Sequence, residues 1–144
     1  QIGTIAFWTL FLTPGRPLAY GTLNTNIPFF GLPGNPVAAA ITALQLLWPA
    51  LQLIEGQQVP ETFPRLRVRL AAQLQRRPGR PELARARLES NAQGKLLARL
   101  NGSQASSRIS SLHQADLLLE VPADAGTLDV GTPLWAQLVR TRLL

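Results

Sequence analysis

The stretch Phe30-Gly31-Leu32-Pro33-Gly34-Asn35-Pro36-Val37-Ala38-Ala39 decides how the first part of this 144-residue chain folds. Asn35 is a favourable N-cap residue, and Pro36 suits the first helical position because its missing N–H is not needed there. Apolar residues then recur at spacings of three and four from Val37 to Leu51, which predicts a helix with an apolar stripe. The stretch therefore predicts a strand that turns sharply into a helix.

The residues around this stretch extend the prediction to an α/β layer over residues 1–56. Pro49 lies inside the helical pattern and predicts a kink, and Gly56 predicts the end of the helix. β-branched and aromatic residues upstream predict strands at Ile5–Phe11, Leu18–Leu23 and Ile27–Leu32. A strand followed by an apolar helix is typical of α/β architecture.

Beyond a predicted linker at residues 57–64, the hydrophobic period changes to two. Arg65–Leu70 alternates charged and apolar residues, which predicts a half-buried strand. Further short strands are predicted at Leu83–Leu88, Lys95–Leu100, Asp116–Val121 and Leu134–Val139. Short strands at this spacing predict a small barrel or sandwich at residues 62–144. The predicted fold class is therefore α+β in two parts.

The composition limits the kinds of site that the chain can hold. Hydrophobic residues make up 46% and charged residues 15%, which is typical of a globular protein. The absence of Cys excludes disulfides and thiolate metal sites, and a single histidine, His113, excludes a multi-histidine site within one chain. We expect His113 at the surface and give it no catalytic role. No uninterrupted apolar run reaches about 18 residues, so no membrane span is expected.

The charge lies almost entirely in the second part. The chain carries a formal net charge of +6. The segment from Arg65 to Arg87 contains eight Arg and only one Glu. This asymmetry predicts attraction to anions, and a nucleic-acid-binding module is one alternative. Exposed aromatic residues among the basic strands would favour that alternative. We expect none, because Tyr20 and most of the Phe residues lie in the apolar first half. Trp8, Trp48 and Trp135 fall in apolar patterns that predict core positions.

Two features of the sequence could bind an anion, and each also has a simpler structural interpretation. The free N–H groups and positive dipole end of the helix after Asn35 favour an anion, but a plain strand-to-helix turn is the commoner case. The guanidinium fork of Arg85 suits a phosphate or oxyanion. Without other information, Arg85 is better explained as part of a solvated basic face that it shares with Arg87.

Several strings, taken in order, resemble the molybdopterin molybdotransferases of the MoeA/gephyrin family. The strings are Pro14–Gly21, Gly31–Ala39, Pro78–Ala86, Gly102–Ser106, Ser110–Leu112, Ala115-Asp116 and Gly131. They resemble the family's PGKP turn, GLPGNPVAA segment, GR-x-[DE]-[FY]-x-R string, G-x-QGS string, SSL, A-[ND] and late Gly. The match runs over nearly the whole chain, and several strings in order are more specific than any one.

The resemblance implies a fold and an activity. Residues 1–56 would close a MogA-like subdomain, truncated at its front, and residues 62–144 would form the C-terminal β-barrel, the family's domain IV. The family uses a divalent metal, expected to be magnesium, to insert molybdate into adenylylated molybdopterin. It works as a cytoplasmic homodimer, and no nucleic-acid or membrane partner is expected.

The resemblance also assigns site residues. The family's cleft, between the MogA-like subdomain and other domains, is lined at positions matching Pro33, Gly34, Asn35 and Pro36. Arg85 matches a functional arginine of the barrel, and Ser106 matches the serine of QGS. No residue is assigned a catalytic step, and no metal ligand is expected in this chain, because the family's acidic ligands lie upstream of the matching region.

Three departures from the family pattern put full activity in doubt. Thr9 and Thr13 stand where the family usually has lysines, and a hydroxyl cannot replace an ammonium opposite an anion. Ala105 replaces the glycine of QGS. We therefore expect this chain alone to be incomplete and inactive as a transferase. The alternative is a non-catalytic scaffold or dimerisation part of a degenerate relative.

Overall fold

The computed structural model describes residues 2–9, 17–24, 26–102 and 109–140. The chain divides into two compact units, Gln1–Thr62 and Phe63–Leu144. The division falls within the predicted linker, where Pro60 and Pro64 interrupt regular structure. Each unit is described by itself.

The first unit opens with a three-stranded antiparallel sheet. Its strands are β1 (Gly3–Thr9), β2 (Pro17–Leu23) and β3 (Ile27–Gly31), in the order β1-β2-β3. The predicted second and third strands are confirmed to within one residue. β1 begins two residues before the predicted strand, and the predicted end at Phe11 lies outside the described residues. Asn24 adopts a positive φ of 48° in the turn between β2 and β3, a conformation that Asn tolerates better than most residues.

A continuous helix, Pro36–Ile54, follows the sheet and contains an irregularity just before Pro49. It consists of α1 (Pro36–Thr42), a π-helical turn (Ala43–Leu47) and α2 (Trp48–Ile54). Because Pro49 has no N–H to donate into the preceding turn, a local change of hydrogen-bonding pattern there is expected. The predicted stop is confirmed: Gly56 has a φ of 98°, the left-handed conformation typical of the residue after a helix.

The helix Pro36–Ile54 has 19 residues and is apolar enough to cross a membrane by length and composition alone. A helix that packs in the core of a subdomain passes the same test. Its length and composition therefore do not assign it to a membrane.

The second unit is a closed five-stranded barrel, which confirms the barrel prediction. Its strands are β4 (Arg65–Leu70), β5 (Glu82–Ser90), β6 (Leu96–Leu100), β7 (Leu117–Val121) and β8 (Pro133–Leu138). The order around the barrel is β4-β6-β5-β7-β8, and β8 pairs with β4 to close it. The β4–β6 pair is parallel and the other pairs are antiparallel.

Alternate residues of the strands fill the barrel, as the period of two predicts. The buried interior residues are Val68, Leu70, Leu74, Ala84, Ala86, Ala98, Leu117, Leu119, Val121, Leu134 and Ala136. Ala84 and Ala86 on β5 pair with Leu119 and Leu117 on β7, so small and large side chains alternate between these neighbouring strands. Residues between these positions, such as Arg85 and Arg87 on β5, lie on the outside of the barrel wall.

The sequence prediction fails at two places in the second unit. A short helix, α3 (Ile109–His113), was not predicted; its five residues are too few to show an apolar stripe. Trp135 was predicted in the core, but it is 43% exposed. Its neighbours Leu134 and Ala136 point inward, so the alternation of β8 places the indole outside. Trp48 is half-buried.

Candidate functional site

The turn from β3 into α1 contains four of the predicted site residues. Pro33 is buried, Asn35 is half-buried, and Gly34 and Pro36 are exposed. A Cβ added at Gly34 would meet no atom within 4 Å, so the backbone here is open to a ligand. The turn thus presents a rigid, uncharged edge of backbone.

The hydrogen bonds of this turn correct the expectation of free N–H groups in the first helical turn. The Asn35 side-chain oxygen accepts from the N–H groups of Val37 (3.1 Å) and Ala38 (3.2 Å), which confirms Asn35 as the N-cap. The Ala39 N–H donates to the Asn35 carbonyl at 2.8 Å, and Pro36 has no N–H. These donors are therefore already engaged, and only the helix dipole and the backbone ahead of the helix remain to favour an anion.

Arg85 is the largest of the fully buried side chains among the described residues. It is 1% exposed, and its cross-strand partner on β7, Leu118, is fully buried. Arg87, two residues along the same side of β5, is exposed and donates from Nη2 to Gln114 Oε1 at 2.9 Å. The interpretation of Arg85 as part of a solvated face is therefore wrong, whereas it holds for Arg87.

Burial sets the electrostatics of Arg85. Removal from water lowers the pKa of its guanidinium, and the nearby Glu82 carboxylate partly opposes this by raising that pKa. An arginine side chain stays protonated in proteins, so the group remains a cation with its five donors fixed in a plane. A desolvated cation attracts an anion more strongly than an exposed one, because water screens it less.

The chain leaves β6 next to Arg85. The N–H of Asn101, a buried residue, donates to the Arg85 carbonyl at 3.1 Å. Asn101 and Gly102 lead directly into residues 103–108, which contain Ser106. Ser106 therefore lies outside the described residues, as do Thr13 and Ala105, and of Thr9 only the backbone in β1 is described.

Asp116 forms hydrogen bonds both to β5 and to the residues that follow β8. Its Oδ2 accepts from the Leu88 N–H at 3.1 Å, and its own N–H donates to the Ala86 carbonyl at 2.9 Å. Its carbonyl accepts from the N–H groups of Val139 and Arg140. This buried residue holds three segments together, which is a structural role.

A surface pocket of about 260 Å³ lies beside Asp116, lined also by Arg87, Leu88, Glu89 and Arg140. Both of its arginines already donate hydrogen bonds, Arg87 to Gln114 and Arg140 to the His113 carbonyl. His113 itself is exposed, as expected. Arg85 does not line this pocket, so the pocket and the predicted site residue are separate features.

The eight arginines between Arg65 and Arg87 do not form one uniform basic patch. The half-buried Arg76 donates to the carbonyls of Pro122 (2.5 Å) and Arg80 (2.7 Å) and lies 3.7 Å from the Glu82 carboxylate. Arg65 is paired with Glu120 at 2.6 Å. Some of the basic residues therefore stabilise the barrel, and composition alone could not separate them from those that face solvent.

The described residues contain no group of three or more His, Asp or Glu side chains that could hold a metal ion. Three of the carboxylates are engaged elsewhere: Glu120 and Glu89 pair with arginines, and Asp116 accepts a backbone N–H. These residues do not fit a magnesium site.

Comparison with known proteins gives a consistent result. The profile of the family described as "MoeA C-terminal region (domain IV)" matches residues 67–138, which is half of the chain and nearly the whole barrel. A relative from Haemophilus influenzae, "Molybdopterin molybdenumtransferase", is 30% identical over 131 residues. "Gephyrin" from Dictyostelium discoideum is 31% identical over an alignment of 160 residues that covers 96% of this chain.

A solved structure agrees with these relatives. The "Molybdenum cofactor biosynthesis protein from Pyrococcus furiosus" superposes with a TM-score of 0.72 and 27% identity, covering 94% of this chain and 46% of that one. The chain is much shorter than the curated relatives it matches. It spans 32% of the Haemophilus protein and 22% of the Dictyostelium protein.

Proposed function

This chain belongs to the MoeA family, and on that premise we propose that it is part of a molybdopterin molybdotransferase. The proposed reaction is the insertion of molybdate into adenylylated molybdopterin, with cleavage of the adenylate. The observation that carries the proposal is the burial of Arg85 on the wall of a barrel that matches the family's domain IV. Both the family resemblance and the chemistry of a buried guanidinium point to Arg85.

Arg85 would act as an anion-binding residue. Both proposed substrates are anions, and a guanidinium fork forms strong, oriented hydrogen bonds to phosphate and oxyanion oxygens. Because the fold has already removed water from the guanidinium, only the anion has to be desolvated when the two groups pair. Ser106, which matches the serine of QGS, would add a hydroxyl donor.

The turn at residues 33–36 would shape the binding surface of the first unit. Its hydrogen bonds leave backbone rather than charge as its main feature, so we propose that this turn contributes shape rather than charge to ligand binding. The open space at Gly34 supports close approach of a ligand to the backbone.

We propose that the first unit is the closing part of a larger MogA-like subdomain. Large apolar side chains in its sheet and helix are exposed, among them Phe7 (86%), Leu51 (46%) and Ile54 (58%). Exposed apolar groups at this density normally have a covering partner. The greater length of the relatives supports further chain as that partner.

We propose that the magnesium ligands lie outside the part of the chain that the structure describes, as the family resemblance implies, because the described residues do not fit such a site. No step of the reaction is therefore derived through the metal. We further propose a homodimer and a cytoplasmic location for the full-length protein, which rest on the family resemblance.

A second candidate is a scaffold that has lost the reaction. Thr9 and Thr13 favour it, because they stand where the family usually has lysines and cannot offer an ammonium to molybdate. Such a protein would keep the barrel and its dimer contacts without turning substrate over.

Release of AMP distinguishes the two candidates. The full-length protein is mixed with adenylylated molybdopterin and magnesium, with and without molybdate, and AMP is measured over time. A transferase releases AMP only when molybdate is present, and Arg85→Ala slows the release while the matched variant Arg87→Ala does not. No AMP release from the intact, folded protein would contradict the transferase and favour the scaffold.

A further inference from the structure

An exposed tryptophan lies among arginines on the outside of the barrel. Trp135 on β8 pairs across the sheet with Arg67 on β4. The guanidinium carbon of Arg65 lies 4.7 Å from the centre of the indole ring, and that of Arg67 lies 5.3 Å from it. Both distances are within cation–π range.

Arg65, Arg67 and Arg69 are all exposed, and they lie on one side of β4 because residues two apart share a face of a strand. These three residues and Trp135 are called the arginine–tryptophan face. Two of its arginines are held in place. Glu120 accepts from Nε (3.0 Å) and Nη2 (2.6 Å) of Arg65, and the Gly131 carbonyl accepts from Nη1 of Arg69 at 2.9 Å.

The charges of this face are not equal. The carboxylate of Glu120 neutralises Arg65, so the cations available to an external anion are Arg67 and Arg69. Neither of these two has a carboxylate among the ion pairs of the described residues. The face therefore combines an aromatic surface with two adjacent positive charges, one held by a hydrogen bond and one beside the indole ring.

We propose that the arginine–tryptophan face binds single-stranded nucleic acid. An unpaired base would stack on the indole of Trp135 or on the guanidinium plane beside it, and the adjoining phosphates would pair with Arg67 and Arg69. A duplex has no unpaired base to offer, and an acidic peptide offers charge without a stacking surface. The face matches the unpaired strand best because it presents both features together.

This inference reverses one expectation from the sequence. From the sequence, nucleic acid is not expected as a partner, because no exposed aromatic residue is expected among the basic strands. Trp135 is such a residue. The inference does not rest on the proposed transferase, because Arg85 and the arginine–tryptophan face lie on different strands of the barrel.

The test measures the binding of a short fluorescein-labelled oligothymidylate to the full chain. Binding is monitored by fluorescence anisotropy at several salt concentrations between about 50 and 200 mM. Trp135→Ala is expected to weaken binding about 5- to 150-fold, the range for loss of one stacked base. Trp135→Tyr, which keeps a ring, is expected to retain most of the affinity. Thermal melts show that each variant is folded.

The arginines are tested through the salt dependence. Arg67→Ala and Arg69→Ala are each expected to lower the slope of log K against log salt by about 0.7, the value for one phosphate contact on a single strand. Arg87→Ala is the matched control. It also removes an exposed arginine from a barrel strand, but β5 adjoins neither β4 nor β8.

Three outcomes would overturn the proposal. The first is no binding at the lowest salt concentration. The second is equal binding by Trp135→Ala and the unmodified chain. The third is general attraction between a basic protein and a polyanion, seen either as an equal effect of Arg87→Ala and Arg67→Ala or as equal competition by polyglutamate.

Discussion

Replacement of Asp116 tests how the barrel wall is held together. The residue is 8% exposed, and its Oδ2 accepts from the backbone N–H of Leu88 at 3.1 Å. Asp116→Ala removes the acceptor and leaves a half-buried N–H without it, whereas Asp116→Asn keeps an oxygen in the same place. The family pattern, which allows Asn or Asp here, agrees with this distinction.

The magnitude follows from the type of hydrogen bond. A bond to a charged acceptor contributes about 1.5–3 kcal/mol, so Asp116→Ala is expected to lower the free energy of unfolding by that amount. Asn keeps a neutral bond, so Asp116→Asn is expected to cost less than about 1.5 kcal/mol. For a domain of this size, each kcal/mol shifts Tm by about 4–8 °C, so the alanine variant melts about 6–24 °C lower.

The assay is thermal and urea unfolding of the full chain, followed by circular dichroism and tryptophan fluorescence. Arg87→Ala, an exposed position on the strand that Asp116 contacts, is the control and is expected to change Tm little. Equal losses for Asp116→Asn and Asp116→Ala would refute the reasoning, because the oxygen would then not be the stabilising feature.

Three further variants test the account of the fold by the same unfolding measurements. Leu119→Ala removes a fully buried side chain from the barrel core and is expected to cost about 2–5 kcal/mol, so a loss below 1 kcal/mol contradicts the assigned core. Asn35→Ala removes the N-cap of α1 and is expected to cost about 1 kcal/mol, visible as reduced helix signal; an unchanged signal contradicts the cap. Gly131→Ala is expected to lower the free energy of unfolding by about 1–2 kcal/mol, because the φ of Gly131 is +83°. Gly79→Ala is the control and should be nearly neutral, since its added Cβ also meets open space. Similar losses for the two variants would contradict the attribution of the Gly131 effect to backbone conformation.

The barrel was predictable because its sequence signal is local and repeated. Charged and apolar residues alternate along β4, and turn residues separate the later strands, so strand positions followed from the period of two. Closure of the sheet was not predictable in the same way. The parallel pairing of β4 with β6 depends on contacts between distant segments, which no local pattern records.

Burial of individual side chains was the main limit at the candidate site. Arg85 and Arg87 lie on the same side of one strand, yet Arg85 is buried and Arg87 is exposed. Trp135 is a hydrophobic residue in an apolar pattern and still faces solvent. In both cases the alternation of a strand determines which side of it a residue occupies. It does not determine whether that side is exposed to solvent.

The turn at residues 33–36 shows a different limit. Asn35 and Pro36 predicted the start of α1 correctly, because capping preferences are local. The same capping removed the donors that made the turn attractive as an anion site, since Asn35 accepts from Val37 and Ala38. A good N-cap and a free helix N-terminus are therefore competing interpretations of one sequence.

The most direct test of the central claim is isothermal titration of adenylylated molybdopterin into the full-length protein and into its Arg85→Ala and Arg87→Ala variants. We predict that Arg85→Ala loses about 1.5–3 kcal/mol of binding free energy, the range for a charged hydrogen bond, while Arg87→Ala binds normally. Equal binding by all three proteins would contradict the assignment of Arg85 as the anion-binding residue of the barrel.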